Sequence, residues 1–204
     1  AISAWDDYLK GVVWNDKGDQ LGVTTINKHH TRLKTIFNDA IKREYLERNP
    51  YNNFKLSFPP ANREYLTREE VERIKEVNLN RNETLDKVRD IFLFSCYTGL
   101  RFGDAMALKM EDIKTINGEP HIRVDQIKTG ARREIPLLNP AKDIVSKYTW
   151  SGERTVYQKV LPTLTNQRVN QYLKVIADLA SINKRLSHHI ARHTCATTIL
   201  LDNN

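Results

Sequence analysis

Between residues 121 and 138 the hydrophobic period drops from that of a helix to that of a strand. Ile122, Val124 and Ile127 on one side, and Ile135 and Leu137 on the other, flank Lys128-Thr129-Gly130-Ala131-Arg132-Arg133. That pattern predicts a β-hairpin with a basic tip. The chain on both sides reads as helices. The fold class expected is therefore mainly α with one small antiparallel β-sheet, an α+β chain, with no internal repeat and no low-complexity tract.

Ile2, Trp5, Leu9 and Val12 or Val13 fall at near-helical spacing over 2–15, and Asp16-Lys17-Gly18-Asp19 makes a turn. Thr24 or Thr25 is expected to cap a helix running to about Leu46, with Ile26, Leu33, Ile36, Phe37, Ala40 and Ile41 as its apolar stripe. Asn49-Pro50 should end it. Residues 51–64, with Phe58-Pro59-Pro60-Ala61-Asn62, carry no period and read as interdomain chain. This places a small helical domain at 1–58, a linker at 59–64 and a larger domain at 65–204. In the larger domain Thr67-Arg68-Glu69-Glu70 is a capping box opening a helix to about Val77. Leu85, Val88, Ile91, Phe92, Ser95 and Cys96 mark a mostly buried helix stopped by Gly99, followed by a short helix from Asp104 to Met110. Further helices are expected from Pro140 to about Tyr148, from Asn166 to about Ala180, and from His188 onward with Ser187 as cap, whereas 149–164 reads as irregular.

Lys plus Arg number 32 against 25 Asp plus Glu, a net charge of +7, which favours a polyanionic partner. Cys96 and Cys195 sit within apolar helical patterns and read as buried free thiols in a reducing, cytoplasmic setting. No apolar run approaches the ~20 residues that would cross a membrane, and no signal peptide opens the chain. The first residues read as the middle of a helix, and the last stop just after an apolar helical run. Both ends look cut from a longer protein.

Three stretches carry candidate chemistry. In Thr98-Gly99-Leu100-Arg101-Phe102-Gly103-Asp104 an arginine follows a helix stop, anchored by packed residues on both sides, and can aim a planar fork of donors at one anion. Taken alone it could equally pair with Asp104, three residues on. Lys128, at the hairpin tip, is either a solubility charge or a mobile ammonium able to protonate a leaving oxygen. His189 and Arg192 are spaced i, i+3 and share one helix face. His193 completes a His-x3-His pair with His189, yet no further ligand stands at zinc-binding spacing, so no metal is expected. Lys28, His29 and Arg32 form part of a basic helix face that reads as solvated charge or as a phosphate contact.

Together these residues resemble the catalytic domain of the tyrosine recombinase, or phage integrase, family. The likeness rests on Thr98-Gly99-Leu100-Arg101 with Asp104, on Lys128-Thr129-Gly130 running into Ile135-Pro136-Leu137, and on His189-Ile190-Ala191-Arg192-His193-Thr194 with Ala196-Thr197. It covers roughly residues 65–204, and residues 24–50 resemble the end of the family's helical core-binding domain; the flavour is that of conjugative-transposon integrases. The resemblance implies that Arg101 and Arg192 hold the non-bridging oxygens of a scissile phosphate. It implies that Lys128 protonates the leaving 5′-oxygen, that His189 assists proton transfer or hydrogen-bonds the phosphate, and that Asp104 supports Arg101. It further implies double-stranded DNA as partner, contacted by Lys28, His29, Arg32 and Arg132 from two lobes that clamp the duplex. Self-association on DNA and the absence of any metal or nucleotide cofactor follow from it too.

The family's tyrosine nucleophile lies some tens of residues after the second arginine. Here the chain ends 12 residues after Arg192, and its eight tyrosines, at 8, 45, 51, 65, 97, 148, 157 and 172, all precede it. No nucleophile is therefore assigned, and this stretch by itself is expected not to cleave by the family's route. The alternative is a non-catalytic DNA-binding protein on the same fold, a regulator or excision helper; a helical scaffold for protein partners is a third class.

Overall fold

A computed structural model describes residues 1–58, 64–149 and 158–200. The chain divides into two compact units, Ala1–Asn62 and Arg63–Asn204. Most of the expected linker at 59–64, much of the irregular stretch at 149–164 and the last four residues lie outside the described residues.

The small unit holds α1 (Ile2–Gly11) and α2 (Val23–Lys42). α1 stops four residues short of the expected 15, because Val13 leaves the helix to bridge Gln20 across the predicted turn. Asn15 builds that turn, its Oδ1 accepting from the backbone N–H of Lys17 and Asp19 at 3.1 Å each. α2 starts at Gly22 rather than at Thr24 or Thr25, which fall inside its first turn, and ends at Lys42 rather than Leu46, where Glu44 turns left-handed (φ 63°). Asn49-Pro50 consequently ends nothing and starts a 3₁₀ turn, Pro50–Asn53, whose N–H of Tyr51 is capped by Asn49.

That turn belongs to the small core and not to interdomain chain. Tyr51 is buried, its hydroxyl is 2.8 Å from His30 Nδ1, and His30 Nε2 is 3.1 Å from Asp6. Phe54 stacks on the same imidazole, and Asn27 donates to the Ser57 carbonyl at 2.7 Å. A fully buried histidine with both ring nitrogens partnered joins α1, α2 and the 3₁₀ turn. The expected apolar stripe is displaced toward it: Ile26 is buried beside Asn27 and His30, whereas Ile36 stays 63% exposed.

In the large unit α3 (Arg68–Glu76) opens on the expected capping box, with Thr67 and Glu70 each receiving the other's backbone N–H. Asn82 caps α4 (Glu83–Thr98), which is apolar nearly all round from Ile91 to Cys96 and packs against α3 and every later helix of this core. Those helices are α5 (Phe102–Ala107), α6 (Asn139–Thr149), α7 (Asn166–Leu179) and α8 (His188–Thr194). α5 is thus earlier than the expected 104–110, and a 3₁₀ turn follows at Met110–Asp112. Ser187 precedes α8 without capping it through its side chain. The His188 N–H donates instead to Asn170 of α7, at 2.7 Å. α8 runs into a π-helical turn, Cys195–Ile199. Thr194 and Thr198 grip the N–H and the carbonyl of Leu66, fixing the entry of the large unit to this helix.

The sheet has three antiparallel strands in the order β1-β2-β3: Ile113–Ile116, Glu119–Asp125 and Arg132–Pro136. The predicted hairpin is β2–β3, in register from His121↔Pro136 to Asp125↔Arg132. β1 is an addition to the sequence reading. It joins β2 through Asn117-Gly118, both with positive φ (52° and 85°), the backbone of a type I′ turn.

Candidate functional site

Gly99 closes α4 in the left-handed conformation (φ 66°), and Arg101 follows at the N-cap of α5 with extended backbone. The bend thus presents Arg101 between two packed helices. Its Nη1 donates to Gln126 Oε1 at 2.7 Å. Arg192 reaches the same bend from α8, donating from Nη1 to the Gly99 carbonyl. Partial burial and, next, the positive charges of Arg101 and Arg133 lower the Arg192 pKa, partly offset by Asp104. Arg192 thus feels the positive charge of two other guanidinium groups. That is the electrostatic state an anion relieves. A cleft of about 440 Å³ opens here, lined among others by Gly99, Gln126, Arg133, Arg192 and Cys195.

Asp104 is not the surface partner of Arg101 that its spacing allows. It is buried, and its Oδ1 accepts from the Ile127 backbone N–H at 3.0 Å. Its Oδ2 is buried with no hydrogen-bond donor among the described residues. The carboxylate therefore latches α5 to the residue before Lys128. Lys128 itself is exposed on the turn between β2 and β3. His189 is exposed one turn before Arg192, its ring edge-on to His193 at a centroid distance of 4.8 Å. Among the described residues no group of three or more His, Cys, Asp or Glu is placed to hold a metal ion.

Arg132 points away from this arrangement. It pairs with Asp125 across the hairpin at 3.0 Å on an exposed face, while its neighbour Arg133 lines the cleft. Strand alternation separates the two, so that Arg133, which local pattern does not single out, is the one beside Arg192. Gln126 was also missed, for no local pattern singles out a glutamine ahead of a turn. In the other unit Lys28 and Arg32 are exposed and His29 half-buried on α2.

Of the tyrosines, Tyr97 lines the cleft, but it is 7% exposed and burial pushes its pKa up to about 12. Tyr51 and Tyr148 are engaged with His30 and Asp90. None of these three offers an accessible phenolate.

His188, adjacent to His189, has a different role. It is buried, bonded to Ser95 at 2.9 Å and edge-on to Phe102, and burial lowers its pKa to about 4. The unfolded chain takes up this proton below about pH 6.5, while the folded one resists until about pH 4. Stability linked to His188 is therefore complete above that window and falls through it by about 3 kcal/mol. Melting curves from pH 7 to 4 should show a steeper loss for the wild type than for His188→Asn. Parallel curves would contradict this role.

Comparison with known proteins matches residues 64–203 to the phage integrase family and residues 1–56 to the phage integrase SAM-like domain. The chain is 27% identical over 225 aligned positions to the prophage ps2 probable integrase of Lactococcus lactis, covering 88% of this chain and 56% of that protein. It is 24% identical to tyrosine recombinase XerC of Halalkalibacterium halodurans, covering 87% of this chain and 62% of the relative. The chain thus spans little more than half the length of these relatives. Among solved structures it shares its fold with the Tn1549 transposon integrase in complex with circular intermediate DNA. The TM-score is 0.71 at 18% identity, over 98% of this chain and 71% of the other. No helix among the described residues is long and apolar enough to cross a membrane.

Proposed function

The chain belongs to the phage integrase family, and from that premise we propose that it forms part of a tyrosine site-specific recombinase that cuts and rejoins duplex DNA through a 3′-phosphotyrosyl intermediate. The observation that carries this reading is the meeting of Arg101 and Arg192 at one glycine bend. Two fixed guanidinium groups stabilise the charge that grows on the non-bridging oxygens in a pentavalent transition state. Interactions stronger there than in the ground state accelerate the reaction.

Lys128 protonates the departing 5′-oxygen, and His189 assists proton transfer or holds the phosphate. Asp104 acts on the site through the turn that bears Lys128. Residues 1–58 serve as the core-binding part and 65–204 as the catalytic part. Lys28, His29, Arg32 and Arg132 contact phosphates, so affinity falls steeply with salt. Recombination joins more than one protomer on DNA. The nucleophilic tyrosine is assigned to none of the eight in the chain.

The test uses the full-length gene product and an attachment-site duplex nicked near the exchange point, so that the cleaved fragment is lost and the intermediate trapped. A covalent protein–DNA band on a denaturing gel is the expected result. Salt-sensitive binding without any such band would favour the non-catalytic DNA-binding protein instead.

A further inference from the structure

We propose that Gln126 is a positioning residue that sets the Arg101 guanidinium without neutralising it; this rests on the reading of Arg101 as a phosphate-holding group. Gln126 is buried at the end of β2. Its Oε1 receives two donors, Arg101 Nη1 at 2.7 Å and Thr129 Oγ1 at 3.0 Å. Guanidinium carries only donors, so the amide must turn its oxygen toward Arg101, and the Thr129 hydroxyl donates to the same atom.

The backbone of Gln126 also closes the turn. Its carbonyl accepts from Gly130 and Thr129 at 2.8 and 3.2 Å, and its N–H donates to Ala131 at 3.0 Å. One residue therefore joins the arginine of the α4–α5 bend to the turn carrying Lys128. The latch from Asp104 to Ile127 lies immediately beside it.

The chemistry of the amide matters here. A carboxylate at this position would hold the fork equally well but would form an ion pair, cancelling the charge a phosphate needs. An apolar side chain would leave the charge intact and the long arginine side chain unrestrained. A neutral acceptor does neither. It fixes one edge of the guanidinium and leaves the positive charge, with the remaining donors, for the substrate. Repulsion from Arg192 would otherwise favour Arg101 swinging toward solvent.

The experiment compares wild type, Arg101→Ala, Gln126→Met and Gln126→Glu in the full-length gene product. Each cuts two versions of the nicked attachment-site duplex. One has an ordinary scissile phosphodiester, the other a methylphosphonate there, which is uncharged. Gln126→Met is close in size and removes the amide, and with it the oxygen that receives Arg101. Gln126→Glu keeps the acceptor and adds charge, so either variant suffices if the other fails to fold.

On the phosphodiester both Gln126 variants should form adduct roughly 10- to 100-fold more slowly at unchanged DNA affinity, the range for a displaced catalytic group. On the methylphosphonate, where little charge needs stabilising, both should match the wild type. A merely structural defect would slow both substrates alike, and that result overturns the proposal. So does wild-type cleavage of the phosphodiester by both variants while Arg101→Ala is defective. Normal cleavage by Arg101→Ala would instead remove the reading underneath.

Discussion

Lys128→Ala in the full-length gene product should slow cleavage by about 10²- to 10⁴-fold, the range for loss of a general acid, and a sulfur in place of the leaving 5′-oxygen should restore most of the rate. An alkoxide is a poor leaving group and needs a proton as the P–O bond breaks. A thiolate, whose conjugate acid has a pKa near 8.5, departs without one. Rescue by sulfur thus isolates proton donation from every other role of the lysine. If Lys128 only bound DNA, both substrates would suffer equally. The two residues before Lys128 are tied to the start of α5, Gln126 to Arg101 and Ile127 to Asp104.

Arg101→Ala should lower cleavage at least about 10³-fold, since removing a single oxyanion donor already costs 10²–10³. DNA affinity should change little, because a complex with many phosphate contacts loses one among several. Binding and adduct formation, measured on the same variant, separate the two. Equal losses in both would mean that Arg101 docks DNA and does not act in the reaction. Arg101→Lys is not a neutral change either, for it keeps the charge and loses the planar fork.

Much of this arrangement was legible in the sequence wherever a local rule governs. The capping box at Thr67 and Glu70, the left-handed stop at Gly99 and the basic hairpin around Lys128 each follow from residues within a few positions of one another. Asn117-Gly118 is an equally local signal for the turn that joins β1 to β2. What stayed hidden is set by distant partners. His30 looks like one more polar residue beside Lys28 and His29, until Asp6 and Tyr51 close on it from 24 and 21 positions away. Nothing near Gln126 announces a partner 25 positions earlier. The apolar spacing that suggested a helix to residue 15 was outcompeted by a turn in which Asn15 holds two backbone N–H groups.

The central claim is that Arg101 and Arg192 serve one phosphate as a unit. A double-mutant cycle of single-turnover cleavage with Arg101→Lys, Arg192→Lys and the pair measures this most directly. Groups that act together lose their effect together, so the account predicts that the paired variant is impaired far less than the product of the two single losses. Losses that multiply, as they do for groups acting on separate phosphates, would contradict it.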